Sequence, residues 1–163
     1  MISGEIYRDI SKAYHGGHCD VYELYSNEDV HSHDYTSMYP SQMFNKEMSC
    51  GKIDKFEGNP LKVNESFQTL IDKLAFIKCD VYVDKSLNRP TYMTNILLNG
   101  EMRSMCATGL FKNQMIFVPE LAYYHKLTNG LIRIVSDSIK YGYLFENKIL
   151  FKDYINDLFE IKQ

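Results

Sequence analysis

The sequence predicts an α+β fold, and three stretches carry that prediction. Residues 76–84, FIKCDVYVD, place Ile77, Cys79, Val81 and Val83 on one face of an extended chain, the two-residue period of a strand buried on one side. Residues 91–108, TYMTNILLNGEMRSMCAT, put apolar-rich arms around Asn99-Gly100, a dipeptide that suits a tight hairpin because its central residues take positive φ. Residues 147–163, NKILFKDYINDLFEIKQ, space Phe151, Tyr154, Ile155, Leu158 and Phe159 at helical intervals, the stripe of an amphipathic helix.

The remaining elements follow in chain order. GEIYRDISKAYHGGH (4–18) reads as a short helix or irregular lead-in that stops at Gly16-Gly17. CDVYELY (19–25) alternates like a strand, SNED (26–29) is a turn, and Val30–Tyr35 is the expected partner strand. Met38–Lys46 predicts a helix with Pro40 in its first turn, where proline is tolerated. SCGKIDKFEGNP (49–60) is rich in turn residues and reads as a loop and a subdomain boundary. FQTLIDKLAF (67–76) predicts a helix, and Arg89-Pro90 breaks the chain before the hairpin. VPELAYYHKLTNG (118–130) has Pro119 at a helix start and Asn129-Gly130 at its end, and Leu131–Val135 follows as a strand. The last helix reaches the final residue with no stop signal, so the natural protein is expected to continue.

At 163 residues the chain suffices for one domain, or one domain with a fragment of another. A formal net charge of −3 argues against the global basicity of a stand-alone nucleic-acid binder, so any DNA contact must be local or shared with other chain. Cysteines at 19, 50, 79 and 106 form no close pair of zinc-binding spacing, and reduced thiols of an intracellular protein are expected. No apolar run reaches membrane-spanning length. The first twenty residues carry Glu5, Arg8, Asp9 and Lys12 instead of a signal-peptide core. A soluble protein with no membrane partner is expected.

The chemistry concentrates in HDYTSMYPSQM (33–43). Here an acid closes an expected strand and a turn leads into a helix. Magnesium takes hard oxygen ligands, often one or two carboxylates with phosphate oxygens and water. Asp34 could be such a ligand, or it could cap the helix together with Ser37; residue types alone leave both readings open. His15, His18, His31 and His33 are less suited to a metal cluster, because no third type of ligand converges with them. His33 is expected to be a packed strand residue.

DYTSMYPSQM resembles the first catalytic motif of the family B DNA polymerases, Asp-x-x-Ser-Leu-Tyr-Pro-Ser, with Met38 in place of leucine, a volume-conserving change. YHGG (14–17) is similar to that family's Tyr-x-Gly-Gly motif. LFKDYIND with IKQ resembles the helix that leads toward the fingers in the protein-primed members. The three occur in the family's order, with room between the second and the third for the terminal-protein insertion of that subgroup.

The resemblance implies a partial polymerase palm with an inserted α+β terminal-protein-binding subdomain. Residues 1–48 would be palm with the linker motif, 49–145 the insertion, and 146–163 the helix toward the fingers. Asp34 would be the catalytic metal ligand for Mg²⁺, with the backbone carbonyl of Tyr35 beside it. Tyr39 would select against ribose at the nucleotide, with Met38 and Ser37 shaping its turn. Tyr14, Gly16 and Gly17 would bind template DNA. Template and primer DNA, deoxynucleoside triphosphates and a priming terminal protein are the implied partners. The implied setting is the cytoplasm of a bacterial host or an organelle, copying a linear phage, plasmid or mobile-element genome.

The family's second aspartate motif and its fingers lysine motif are absent from this sequence, so the chain alone is expected not to polymerise. The alternative from a different class is a non-catalytic protein-interaction domain, with Asp34 as a helix cap.

Overall fold

The computed structural model describes residues 4–19, 21–63 and 67–162. In chain order the elements are helix α1 (Gly4–Ile10), a 3₁₀ turn (Ser11–Ala13), α2 (Met38–Asn45), β1 (Met48–Glu57), a second 3₁₀ turn (Pro60–Val63), α3 (Phe67–Asp72), β2 (Phe76–Val83), β3 (Met93–Leu98), β4 (Glu101–Cys106), β5 (Gly109–Phe117), α4 (Val118–Leu127), β6 (Ile132–Ile134), β7 (Tyr141–Lys148) and α5 (Lys152–Lys162). The fold is α+β, as the sequence predicts, and every pairing among the described strands is antiparallel.

β2 is the centre of a five-stranded sheet in the order β1-β7-β2-β5. β5 runs along one of its edges, while β7 and then β6 share the other. The alternation read from the sequence is the physical reason: Ile77, Cys79, Val81 and Val83 are all fully buried. They meet Leu70 of α3, Val118 and Leu121 of α4, and Ile132 of β6. Burial pushes the Cys79 thiol up to about 12, so it is protonated and inert. The opposite face of the sheet carries Met115, Tyr143 and Phe145, covered by Ile6, Ile10 and Ala13 from α1 and the turn after it. β3 and β4 form a separate hairpin that turns at Asn99-Gly100, both with positive φ. α5 lies beside α2, with the Lys152 ammonium 5.5 Å from the centre of the Phe44 ring.

Several expectations fail for identifiable reasons. No strand forms across 21–35, although 19–25 and 30–35 alternate; Asp20 lies outside the described residues. Leu24 is 96% and Val30 83% exposed, and a strand forms only where a ladder partner and a buried face are available. The loop expected over 49–60 is mostly the ten-residue strand β1. Its turn-like Gly51 sits in a bulge between Cys50 and Ile53 with φ +66, where an added Cβ would fall 2.2 Å from a Glu146 carboxylate oxygen. β5 and β7 escape the periodicity argument too. In the β2–β5 ladder a register shift and the positive φ of Asn113 break the alternation.

One buried carboxylate ties α1 to the sheet. Asp9, 8% exposed, accepts hydrogen bonds from Lys12 Nζ at 2.9 Å, Tyr141 Oη at 2.8 Å and Tyr143 Oη at 3.1 Å. Burial raises its pKa, but these donors outweigh that effect and hold it below the ordinary 3.8. A depressed folded pKa gives stability that is complete above the unfolded value and is lost as pH falls through the folded one. Asp9→Ala is therefore expected to cost about 1–3 kcal/mol in urea unfolding at neutral pH. The two proteins should converge in acid below the folded pKa of Asp9. A second prediction concerns Gly142, where an added Cβ would lie 2.5 Å from both Phe56 Cζ and the Phe76 carbonyl oxygen. Gly142→Ala is expected to lose roughly 1–3 kcal/mol by the same assay, because the carbonyl belongs to β2 and cannot give way.

Candidate functional site

Thr36 and Ser37 form a turn into α2, and Asp34, Tyr35, Ser37, Met38 and Tyr39 are all exposed around it. The Met38 N–H donates to the Tyr35 carbonyl at 3.3 Å, and Ser41 N–H donates to the Ser37 carbonyl at 2.9 Å. Ser37 is the residue before the helix, held in the left-handed region at φ 57, ψ 36, and its side chain makes no cap hydrogen bond. Asp34 hydrogen-bonds to no described residue, so it does not cap α2. It also does not close a strand, because residues 30–35 form none. His33 is likewise exposed on this stretch, its ring centre 6.5 Å from that of His31, and is not a packed strand residue. Tyr39 is 76% exposed; its ring plugs no core.

The donor chemistry at the turn suits a hard cation only in part. Asp34 offers one carboxylate and Tyr35 a carbonyl with a lone pair left after the bond from Met38. Among the described residues no group of three or more histidine, cysteine or acidic side chains converges on a metal position; the four histidines singled out from the sequence make no such cluster. The amphipathic end of the chain does come to this place. Ser37 and Pro40 share a small apolar hollow with Ile155, Leu158 and Phe159 of α5. Gln163, at the end of the third motif, lies outside the described residues.

Tyr14, Gly16 and Gly17 lie on a second exposed segment, directly after the 3₁₀ turn. Tyr14 is 79% exposed, and an added Cβ at either glycine would meet nothing within 4 Å. His18 secures the segment, a role that no local signal in the sequence marks. Its Nδ1 lies 3.1 Å from Cys106 Sγ on β4, and its Nε2 lies 2.9 Å from the Tyr22 hydroxyl. The Arg89 guanidinium stands 4.8 Å from the centre of the Tyr22 ring. The His18–Cys106 and Arg89–Tyr22 pairs join residues distant in sequence, so no local motif signals them.

A family model described as "DNA polymerase type B, organellar and viral" matches residues 1–163. The chain belongs to the type B DNA polymerases of organelles and viruses. A probable DNA polymerase of Ascobolus immersus is 28% identical over 158 residues, a match that takes in 94% of this chain and 12% of that protein. The orthorhombic crystal form of Phi29 DNA polymerase aligns with 99% of the chain and 28% of its own length, at TM-score 0.66 and 18% identity. Phi29 DNA polymerase in a post-translocation binary complex with primer-template DNA aligns at TM-score 0.60 and 20% identity, covering 99% of this chain and 27% of that one. These structural likenesses speak for the fold. The chain spans about an eighth of its curated relative and little more than a quarter of the solved polymerases.

The strained turn is testable by itself. Ser37→Gly should be tolerated, whereas Ser37→Val should lower the melting temperature by the equivalent of about 1–2 kcal/mol, since a β-branched residue resists positive φ.

Proposed function

We propose that this chain is the part of a protein-primed, template-directed DNA polymerase that carries one of its two catalytic carboxylates. The observation that carries the reading is the exposed Asp34-to-Tyr39 turn, set at the start of α2 within a chain matched along its whole length by the polymerase family. Asp34 and the Tyr35 carbonyl would hold Mg²⁺, whose chemistry is to activate the primer hydroxyl and to stabilise the leaving pyrophosphate. Tyr39, exposed in the first turn of the helix, would lie beneath the nucleotide sugar and exclude a ribose hydroxyl. Met38 and Ser37 would set the direction of that turn. Tyr14, Gly16 and Gly17 would face the template, where glycines let the backbone approach phosphates closely.

In this reading residues 1–48 and 146–163 frame the catalytic side, and residues 49–145 form the subdomain that receives a priming protein. The β3–β4 hairpin supports a docking role for that middle segment: Leu97 and Met102 are both about two-thirds exposed. Magnesium chemistry needs the second carboxylate, which this sequence lacks, so the chain alone would be inactive. The setting would be replication of a linear phage, plasmid or mobile-element genome in a bacterial cytoplasm or an organelle.

The test is primer extension by a polymerase that joins this chain to the missing aspartate and fingers motifs. Asp34→Ala should reduce the rate by roughly a hundredfold or more, and Tyr39→Val should admit ribonucleotides while retaining extension. Near-normal extension by the Asp34 variant would refute the metal assignment.

A further inference from the structure

Beside the Gly16-Gly17 segment, the molecule holds a cleft of about 620 Å³ that the proposed chemistry does not use. Its volume falls within the range of small-ligand sites. The floor is the Phe76–Phe117 pair, whose ring centres are 4.9 Å apart, and Tyr7, Tyr14 and Tyr124 supply further aromatic walls. A site walled by rings favours a flat π-system that can stack.

The polar groups narrow the ligand further. Glu120 stands in the lining, its Oε1 accepting the Tyr124 hydroxyl at 2.7 Å. Thr91 Oγ1 and His15 Nδ1 belong to lining residues too, and both are buried with no hydrogen-bond partner. An unmet buried polar group is costly, so a ligand in the cleft that supplies the missing partner is favoured. Burial also lowers the His15 pKa despite the Glu120 charge, which favours a neutral ring able to donate or accept. An aliphatic side chain would leave all these groups unmet, and a phosphate would face the Glu120 carboxylate.

We infer that the cleft receives one unstacked nucleobase of a single-stranded DNA whose backbone passes over Gly16 and Gly17. The base stacks among the tyrosine and phenylalanine rings. An exocyclic amino group donates to Glu120, and a ring nitrogen or carbonyl accepts from Thr91. Cytosine, adenine and guanine fit this pattern. Thymine fits it poorly, because it has no exocyclic amino group and its one ring N–H lies between two carbonyls that the carboxylate repels. The inference rests on the proposed DNA contact at the Gly-Gly segment and adds to it a site that senses base identity.

Fluorescence anisotropy of the chain with labelled oligodeoxycytidylate, oligothymidylate and an abasic strand of equal length tests it. Oligodeoxycytidylate should bind roughly tenfold or more tightly than the abasic strand, the worth of one stacked base, and more tightly than oligothymidylate. Glu120→Gln, which keeps the side chain's size, should shrink the cytosine-over-thymine preference without weakening abasic binding, and circular dichroism should show the fold unchanged. Equal affinity of the unmodified chain for all three strands would overturn the base site while leaving backbone binding in place. No binding of any strand would refute the DNA contact itself, and the base site with it.

Discussion

The structure depends on satisfying both edges of one buried strand. β2 has its alternate residues sealed in the core, so its N–H and C=O groups cannot turn to water and must be bonded on each side. β5 takes one edge, and β7 with β6 takes the other. Where those ladders leave gaps, loop groups close them: Lys140 N–H donates to the Lys78 carbonyl at 2.8 Å, and Val135 N–H donates to the Asp80 carbonyl at 2.9 Å. α3 and α4 cover the face that carries Ile77, Cys79, Val81 and Val83, and α1 covers the apolar patch of Phe76, Met115, Tyr143 and Phe145 on the other. β1 joins through β7, and residues far apart in sequence become one sheet.

The same rule explains why the candidate site looks so different from the core. Residues 21–25 and 30–35 alternate as strands should, yet no described β-ladder includes them, and their side chains stay in solvent. Asp34 thus hangs on a segment fixed at one end by the His18 contacts and at the other by α2, and Tyr39 stands exposed on the first turn of that helix. A rigid catalytic site needs its ligands held by packing and hydrogen bonds. The core of this chain supplies that support to Cys79 or Asp9, and does not extend it to Asp34. In the proposed reading that is the physical form of an incomplete site: Asp34 would be one ligand, and the family's second aspartate motif is absent from this sequence.

What could be read from the sequence divides along the same line. Local signals were legible: the buried face of β2, the Asn99-Gly100 turn, Pro119 at the start of α4, and the helical stripe of α5 all follow from short-range rules. Features decided by partners were not. Among the described residues the 19–25 and 30–35 alternations lack a ladder, and Gly51 and Asn113 look like turn residues but lie within bulged strands. The motif residues could be named because resemblance supplied roles; the residues that hold the motif loops in place, His18, Cys106 and Arg89, act across long separations. Nor does the sequence reveal the orphaned hydroxyl of Thr91, which exists only once the chain around the aromatic cleft is assembled.

The metal role proposed for Asp34 can be tested in the chain itself. Mn²⁺ can stand in for Mg²⁺, because it favours the same oxygen ligands and broadens nearby NMR signals. With a deoxynucleoside triphosphate present, substoichiometric Mn²⁺ should broaden the amide signals of Asp34 and Tyr35 first, and Asp34→Asn should remove that effect. Broadening centred elsewhere, or unchanged by the substitution, would contradict the assignment of Asp34 as a catalytic metal ligand.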